Sequence, residues 1–477
     1  MYPTDKFYID GQWVEPMGKA TFTLINPADE QAYGELAMGN ADDVERAVHA
    51  ARRAFADYSR WTPGQRIDLL ERVLSIYKRR YEEFAQAMTL EMGAPIAFSR
   101  AAQAARGSLH IEEIIRVLRS FEFAEQHGTT QIRREAIGVC GLITPWNWPI
   151  NQIVVKIAPA LAAGCTIVLK PSEFSALSAL LFAEVLDEAG VPPGVFNLVN
   201  GDGPNVGHAI SAHPDIDMVS FTGSTQAGIR VAKTAADTVK RVAQELGGKS
   251  ANIVLSDADF SQAVSKGIAA CFTNSGQSCS IPTRMLVPAE RMADVMRIAR
   301  AEVAKYRVGD PQDENTQLGP LVNRAQFERV QTLVQRGIDE GAELVCGGVG
   351  RPEGLQQGYY VQPTVFANVT PHMTIAQEEI FGPVLSIIAY HNESEAIAIA
   401  NGTPYGLAAY VQSVDLNHAR DMAGRLRAGQ VHLNYPPADI GAPFGGFKQS
   451  GNGREWGAHG LMEYLETKAI VGFAPAN

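Results

Sequence analysis

Cysteine is scarce and scattered. Five occur in 477 residues, Cys140, Cys165, Cys271, Cys279 and Cys346, and no two form a C-x-x-C pair. The odd total and wide spacing argue against a disulfide framework or a zinc site and fit free thiols in a reducing compartment. Positive charge is also short, with 41 Lys and Arg against 52 Asp and Glu and a formal net charge of -11. Nucleic acids and anionic membranes attract basic surfaces, so neither is expected as a partner. Long apolar runs are missing: the longest, Ile157–Leu169, is interrupted by Gly164 and contains Pro159, and it is too short to span a bilayer. Met1–Trp13 is polar and has no secretory core, so a cytoplasmic location is expected. Repeats and low-complexity blocks are absent as well. What is present is ordinary globular material, 46% hydrophobic and 19% charged. At roughly 100–200 residues per domain, the length suggests about two to four domains or subdomains.

Three regions differ in pattern. The first, from residue 1 to about 116, opens with strand-like pieces at Lys6–Ile9 and Trp13–Val14 and continues with helical spacing over Val44–Tyr58 and Ile67–Leu90. From Ala136 to about Gly248, β-rich runs alternate with helices. Val139–Ile143, Thr166–Lys170, Phe196–Val199, Met218–Phe221 and Arg241–Leu246 read as strands, and Ala176–Ala189, Asn205–Ser211 and Gln226–Ala236 as helices. That rhythm predicts a parallel sheet covered by helices. It resumes from Lys249 to about Gly451, with strands expected at Asn252–Leu255, Ser280–Val287 and Leu385–Tyr390. Phe121–Phe123, Thr129–Arg133 and Glu466–Gly472 alternate like exposed strands. They suit either an arm that pairs with another subunit or a surface hairpin.

Several short segments can carry chemistry. In Phe272-Thr-Asn-Ser-Gly-Gln-Ser-Cys279 the thiol follows a loop or short helix and precedes a strand, where backbone N–H groups can stabilise a thiolate. Taken by itself, a free cysteine is more often a small buried apolar residue. Glu245, before Gly247-Gly248, stands at a strand end, where open α/β sheets place their sites. A carboxylate in a half-dry cleft there can act as a base, although a solvated turn residue is the commoner outcome. Pro145-Trp-Asn-Trp-Pro149 is a rigid segment after a strand, and the Asn147 amide could donate to an oxyanion or simply pack. Phe221-Thr-Gly-Ser-Thr225 links a strand to a helix whose N-terminus suits an anion. Gly201-Asp-Gly203-Pro-Asn-Val-Gly207 misses the usual dinucleotide spacing by one residue and is a weak fingerprint. Lys170-Pro-Ser-Glu173 puts a cation and a carboxylate at the sheet edge, suited to ribose hydroxyls.

Taken in order, Pro145–Pro149, Lys170–Glu173, Phe221–Thr225, Glu245-Leu-Gly-Gly-Lys249, Gly276–Cys279, Glu379-Ile-Phe-Gly-Pro383 and Pro443-Phe-Gly-Gly446 closely resemble the NAD(P)-dependent aldehyde dehydrogenase superfamily across essentially the whole chain. The resemblance implies an α/β fold of three parts. A Rossmann-like cofactor domain would span 1–115 and 136–247, an α/β catalytic domain 248–455, and a small β oligomerisation arm 116–135 and 456–477. It implies oxidation of an aldehyde to a carboxylate with NAD+ and water, through a cysteine thiohemiacetal and thioester, in a homodimer or homotetramer without a metal. Cys279 would be the nucleophile and Glu245 the base. Asn147 and the Cys279 N–H would form the oxyanion hole. Ile143, Thr144, Pro145, Trp146, Lys170, Ser172, Glu173, Gly203, Pro204, Phe221, Thr222, Gly223, Ser224, Leu246, Gly247, Glu379 and Phe381 would hold the cofactor. The charge of Glu173 favours NAD over NADP. Glu245 argues against an acylating enzyme that passes its thioester to coenzyme A, and the intact Cys279, Glu245 and Asn147 set argues against a catalytically idle structural protein of this fold.

The aldehyde itself is not written in the sequence. By position, Trp148, Gln152, Val155, Ser278, Tyr435 and Asp439 should line the substrate tunnel. Asp439 and Gln152 would make it polar enough for a substrate with a hydrogen-bonding or cationic tail.

Overall fold

The computed structural model describes residues 2–475. Met1, Ala476 and Asn477, the outermost residues of the expected cofactor domain and arm, lie outside it. Two large sheets dominate. The first has eight strands in the order Gly451–Asn452, Arg241–Glu245, Met218–Thr222, Val139–Ile143, Thr166–Lys170, Phe196–Leu198, Phe7–Ile9, Gln12–Val14. Its five central strands run parallel, and the outer three are antiparallel. Val139–Ile143, Thr166–Lys170 and Met218–Thr222 are buried at every position, as expected of strands covered on both faces. The chain runs outward from Val139–Ile143 to Phe196–Leu198, then crosses back to place Met218–Thr222 on the other side of Val139–Ile143. Ligands of open α/β sheets settle at the strand C-termini beside such a reversal. Here the reversal lies between Ile143 and Thr222.

The second sheet has seven strands in the order Glu343–Cys346, Thr364–Ala367, Val384–Tyr390, Arg284–Pro288, Ala251–Val254, Ala408–Gln412, Gln430–Leu433, all parallel except the first. Two smaller sheets complete the molecule. Ala20–Ile25 pairs with Ala32–Met38, and Leu465–Ile470 pairs with Thr130–Ala136, which pairs with Ala124–His127. The expected segments Thr129–Arg133 and Glu466–Gly472 therefore meet within one chain, while Phe121 and Phe123 precede the strand and stand edge to face at 4.9 Å.

Three expectations are revised. Phe121–Phe123, expected as a strand, lies just before the strand Ala124–His127. The helix expected over Ile67–Leu90 is two helices, Pro63–Arg79 and Tyr81–Met92. Arg80 leaves helical geometry between them, and its guanidinium bonds Glu83 and Glu184. The strand expected from Ser280 begins at Arg284. The 15-residue helix Pro149–Ala163 was not read at all, because all its residues are buried and a helix apolar on every side carries no one-sided period.

Candidate active site

The loops that leave the sheet at its reversal converge on one cleft of about 690 Å³. Pro145, Trp146 and Asn147 come from the loop after Val139–Ile143, and Gln152 from the helix that follows. Thr222, Gly223 and Ser224 come from the end of Met218–Thr222, and Leu246 and Gly247 follow Arg241–Glu245. Cys279, Glu379, Phe381 and Tyr405 close it from the second sheet's side. Gln326 and Arg329, which sequence reasoning did not select, also line it.

Cys279 owes its place to an unusual turn. Asn274, Ser275 and Gly276 take φ of 56°, 54° and 75° in succession. Consecutive left-handed residues are costly for anything but glycine and persist only when their surroundings fix them. The fixing bonds are present: Ser275 Oγ donates to Gly319 O at 3.0 Å, Gln277 Oε1 accepts from Val322 N at 3.0 Å, and Asn274 Nδ2 donates to Asn147 O at 2.7 Å. Gln103 Nε2 also donates to Asn147 O, at 3.2 Å. Asn147 Nδ2 donates to Gln277 O at 3.0 Å, which leaves its second N–H for another acceptor. The half-buried Cys279 thiol is pushed above its ordinary range by burial first, then by the charges of Glu379 and Glu245. Cys140, Cys165 and Cys271 are fully buried, and Cys346 lies on the strand Glu343–Cys346, outside the cleft.

Glu245 ends its strand, is 4% exposed, and neither carboxyl oxygen has a hydrogen-bond partner. Burial and the nearby Glu455 raise its pKa well above the carboxylate range. A Cβ on Gly445 would lie 2.8 Å from Glu245 Oε1, so this glycine leaves room for the carboxyl group. Glu455 is bonded to the fully buried Lys156, whose Nζ also donates to Ser220 Oγ at 3.0 Å. Sequence reading passed over this ion pair. Lys156 sits in an apolar run, and its partner is 299 residues away.

The remaining expected cofactor residues fall into two groups. Gly223 follows Phe221, whose ring occupies the space a Cβ on Gly223 would need. Ser224 caps the helix Thr225–Ala235 by accepting from Ala227 N at 3.3 Å. Glu379 Oε1 accepts from Gly248 N at 3.0 Å, and burial pushes its carboxyl up to about 7. Phe381 takes φ of 64° and stands edge-on to Trp146 at 5.4 Å. Thr144 and Thr222 keep buried hydroxyls without protein partners. The second group lies along the same sheet edge, outside the cleft. Lys170 Nζ donates to Pro171 O and Gly201 O at 2.7 and 2.6 Å and lies 3.6 Å from Glu173. Ser172 caps the turn Glu173–Ser175, and Gly203 and Pro204 open the helical turn Gly203–Gly207. Ile143 is the last residue of its strand.

The expected substrate residues are more dispersed. Gln152 lines the cleft, is 5% exposed, and its Oε1 has no partner. Trp148 Nε1 donates to Ser278 Oγ, tying two of them together beside Cys279. Val155 is buried one turn further along the helix from Gln152. Tyr435 does not line the cleft: its buried hydroxyl has no partner and lies 3.2 Å from a Cβ built on Gly267. Asp439 is exposed, and its carboxylate accepts from Gly441 N at 3.0 Å in its own turn.

Residues 13–470 match the model of the aldehyde dehydrogenase family. The chain is 54% identical over 469 residues to 3-succinoylsemialdehyde-pyridine dehydrogenase from a Pseudomonas species, covering 98% of each. Among solved structures, a cysteine-to-alanine mutant of aldehyde dehydrogenase C from Pseudomonas syringae, complexed with NAD+ and octanal, superposes with a TM-score of 0.99 at 57% identity, covering 99% of this chain and 98% of that one. Betaine aldehyde dehydrogenase from Staphylococcus aureus in complex with NAD+ gives 0.95 at 36% identity, covering 99% and 95%. A single family model over nearly all the chain, with relatives above 30% identity over at least 95% of their length, shows that this protein belongs to the aldehyde dehydrogenase family.

Proposed function

We propose that Cys279, Asn147 and Glu245 carry out the oxidation of an aldehyde to a carboxylate with NAD+ and water. The observation that carries this reading is the shared cleft. It holds the Cys279 thiol and the Asn147 amide together with the glycines, hydroxyls and Glu379 that suit a dinucleotide. Gly223 and Gly247 leave room for the Phe221 ring and the Glu379 carboxylate in the cleft wall, Ser224 opens a helix N-terminus to pyrophosphate, and Glu379 and Phe381 suit the nicotinamide ribose and ring. Lys170 and Glu173 suit the adenosine ribose, with Ser172, Gly203 and Pro204 beside them. When bound, NAD+ accepts a hydride at its nicotinamide ring.

Cys279 gives its proton to water, and the thiolate adds to the aldehyde carbon as the carbonyl π bond breaks, giving a thiohemiacetal. Asn147 Nδ2 and the Cys279 N–H hold the oxyanion; one such donor is typically worth about 10²–10³ in rate. Loss of hydride leaves a thioester on Cys279. Glu245 then takes a proton from water, the water oxygen adds to the thioester carbon, and the Cys279 sulfur leaves. Glu455, bonded to Lys156, stands near enough to Glu245 to raise its pKa and so its strength as a base. Absorbance at 340 nm with NAD+ and a panel of aldehydes tests the reading; no NADH from any aldehyde would overturn it.

NAD is favoured over NADP, because Glu173 would accept from ribose hydroxyls and repel a 2′-phosphate. Glu173→Ser should raise kcat/KM for NADP relative to NAD by about tenfold or more, since like charges in contact are strongly unfavourable. Equal use of both cofactors by the unsubstituted enzyme would remove this role. On this reading 1–115 and 136–247 hold cofactor, 248–455 carries the cysteine, and 116–135 with 456–477 joins subunits, except that Gly451–Asn452 adds a strand to the first sheet and Leu461, Tyr464 and Leu465 pack into that sheet's core. A cytoplasmic enzyme fits the five unpaired thiols. Among the described residues, no helix is long and apolar enough to cross a membrane.

A further inference from the structure

The helix Ala104–Leu118 presents one face to the start of the helix Pro149–Ala163. Gln103, just before the first helix, reaches Asn147 O, and His110 Nε2 meets Asn151 Oδ1 at 3.0 Å. Arg106 lies three residues after Gln103 and four before His110, on the same face. Its guanidinium stands over the Trp456 ring at 5.9 Å. Trp456 stacks on Phe444 at 4.6 Å and follows Glu455, the neighbour of Glu245. Among the described residues Arg106 has no ion pair, and no hydrogen bond to its side chain is present, although burial desolvates it. Nearby charges are already committed. Glu113 pairs with Arg116 and Glu455 with Lys156, and His110 is held neutral by burial, its pKa near 3. Next to Asn151 stands Gln152, a buried amide in the wall of the cleft with Oε1 unpartnered. A partly desolvated guanidinium with no protein acceptor keeps its five N–H donors free for water or for an acceptor on a ligand. The sole carboxylate expected to favour a cationic tail, Asp439, is exposed and turned to its own backbone.

We infer that the substrate path continues from Gln152 past Asn151 to Arg106, which lies beyond the residues that line the cleft of Cys279, and that Arg106, with Gln152, selects aldehydes that carry a hydrogen-bond acceptor, a carboxylate or keto oxygen, away from the aldehyde carbon. This deepens the aldehyde dehydrogenase reading and rests on it. Arg106 is donor only, so it excludes an ammonium tail, whereas the Gln152 amide can donate to an oxygen nearer the aldehyde. The test compares kcat/KM for ω-carboxy, ω-keto, unsubstituted and ω-amino aldehydes of matched chain length, in the unsubstituted enzyme, R106M, R106K and Q152L. Acceptor-bearing aldehydes should be preferred over unsubstituted ones, with ω-amino aldehydes poorest. In R106M that preference ratio should fall ten- to hundredfold, chiefly through KM, and R106K should restore part of it. Q152L should lower it less. An unchanged ratio in R106M, or equal loss on every substrate with R106K no better, would overturn the inference and leave Arg106 a structural residue. Failure of every aldehyde in the unsubstituted enzyme would instead overturn the functional reading beneath it.

Discussion

At the scale of single residues, the site holds two acids in environments that keep them protonated. Glu245 is raised by burial and by Glu455, and Cys279 chiefly by burial. A base must first be deprotonated, so where deacylation limits turnover, kcat should climb as pH rises through the raised Glu245 pKa. Glu245→Gln should abolish that limb. It should also lower steady-state turnover by about 10²–10⁴, while a fast burst of about one NADH per site survives and an acyl group remains on Cys279, visible by mass spectrometry. Normal turnover would remove Glu245 from the mechanism, and loss of the burst would move its role to activating the thiol. Iodoacetamide should label Cys279 before the other four cysteines, with inactivation tracking its modification and accelerating with pH, because the thiolate is the reactive form. Inactivation that tracks Cys271 or Cys140 would show a different essential thiol. The motif residues were legible because each sits at a strand end or in a tight turn, where residue type and position are both constrained. Lys156, Glu455 and Arg106 were not legible: their significance lies in partners distant in sequence, or in the lack of one. Asp439 was selected by position alone, and its turn spends the carboxylate on Gly441 N.

At the scale of elements, the first sheet was readable because buried parallel strands are short apolar runs separated by helices with caps, and most of its strands fall within a residue or so of the expected spans. What was missed had weak or ambiguous patterning. Ala20–Ile25 and Ala32–Met38 form a largely exposed ribbon, and the wholly buried Pro149–Ala163 gives no one-sided stripe. The turn Asn274–Gly276 was hidden too, although it sets Cys279. Glycine is required there on two grounds. Its φ is 75°, and a Cβ would fall 2.0 Å from the Gly382 carbonyl carbon. Gly276→Ala should therefore cost on the order of 3 kcal/mol or more through backbone strain and collision. A denaturant titration measures it, and a loss under about 0.5 kcal/mol, the range of ordinary surface substitutions, would show that the turn relaxes freely. Because the strain bears on Cys279, activity should fall at temperatures where the variant is still folded.

At the scale of the whole molecule, the three-stranded sheet is the part least explained by a single chain. It stands apart from both large sheets, with Leu465–Ile470 on one outer edge and Ala124–His127 on the other. The register from Leu465↔Ala136 to Ile470↔Gln131 uses one side of the six-residue strand and leaves its other side without a partner strand among the described residues. Proteins usually shorten, cover or charge such an edge. Here Lys468 is bonded across to Glu135, and beyond the strand Val471 and Phe473 are 80% and 51% exposed. An unpaired edge beside exposed large apolar side chains is the arrangement a second copy would cover, and symmetric pairing of identical chains is the commonest way to do so. Light scattering should give a mass of at least twice 51.5 kDa at micromolar concentration. Replacing Val471 and Phe473 together by Asp should shift the population toward monomer without unfolding it, since neither side chain belongs to a core. A monomer in the unsubstituted protein would leave the sheet a surface feature of one chain. An assembly indifferent to the double substitution would place the interface elsewhere.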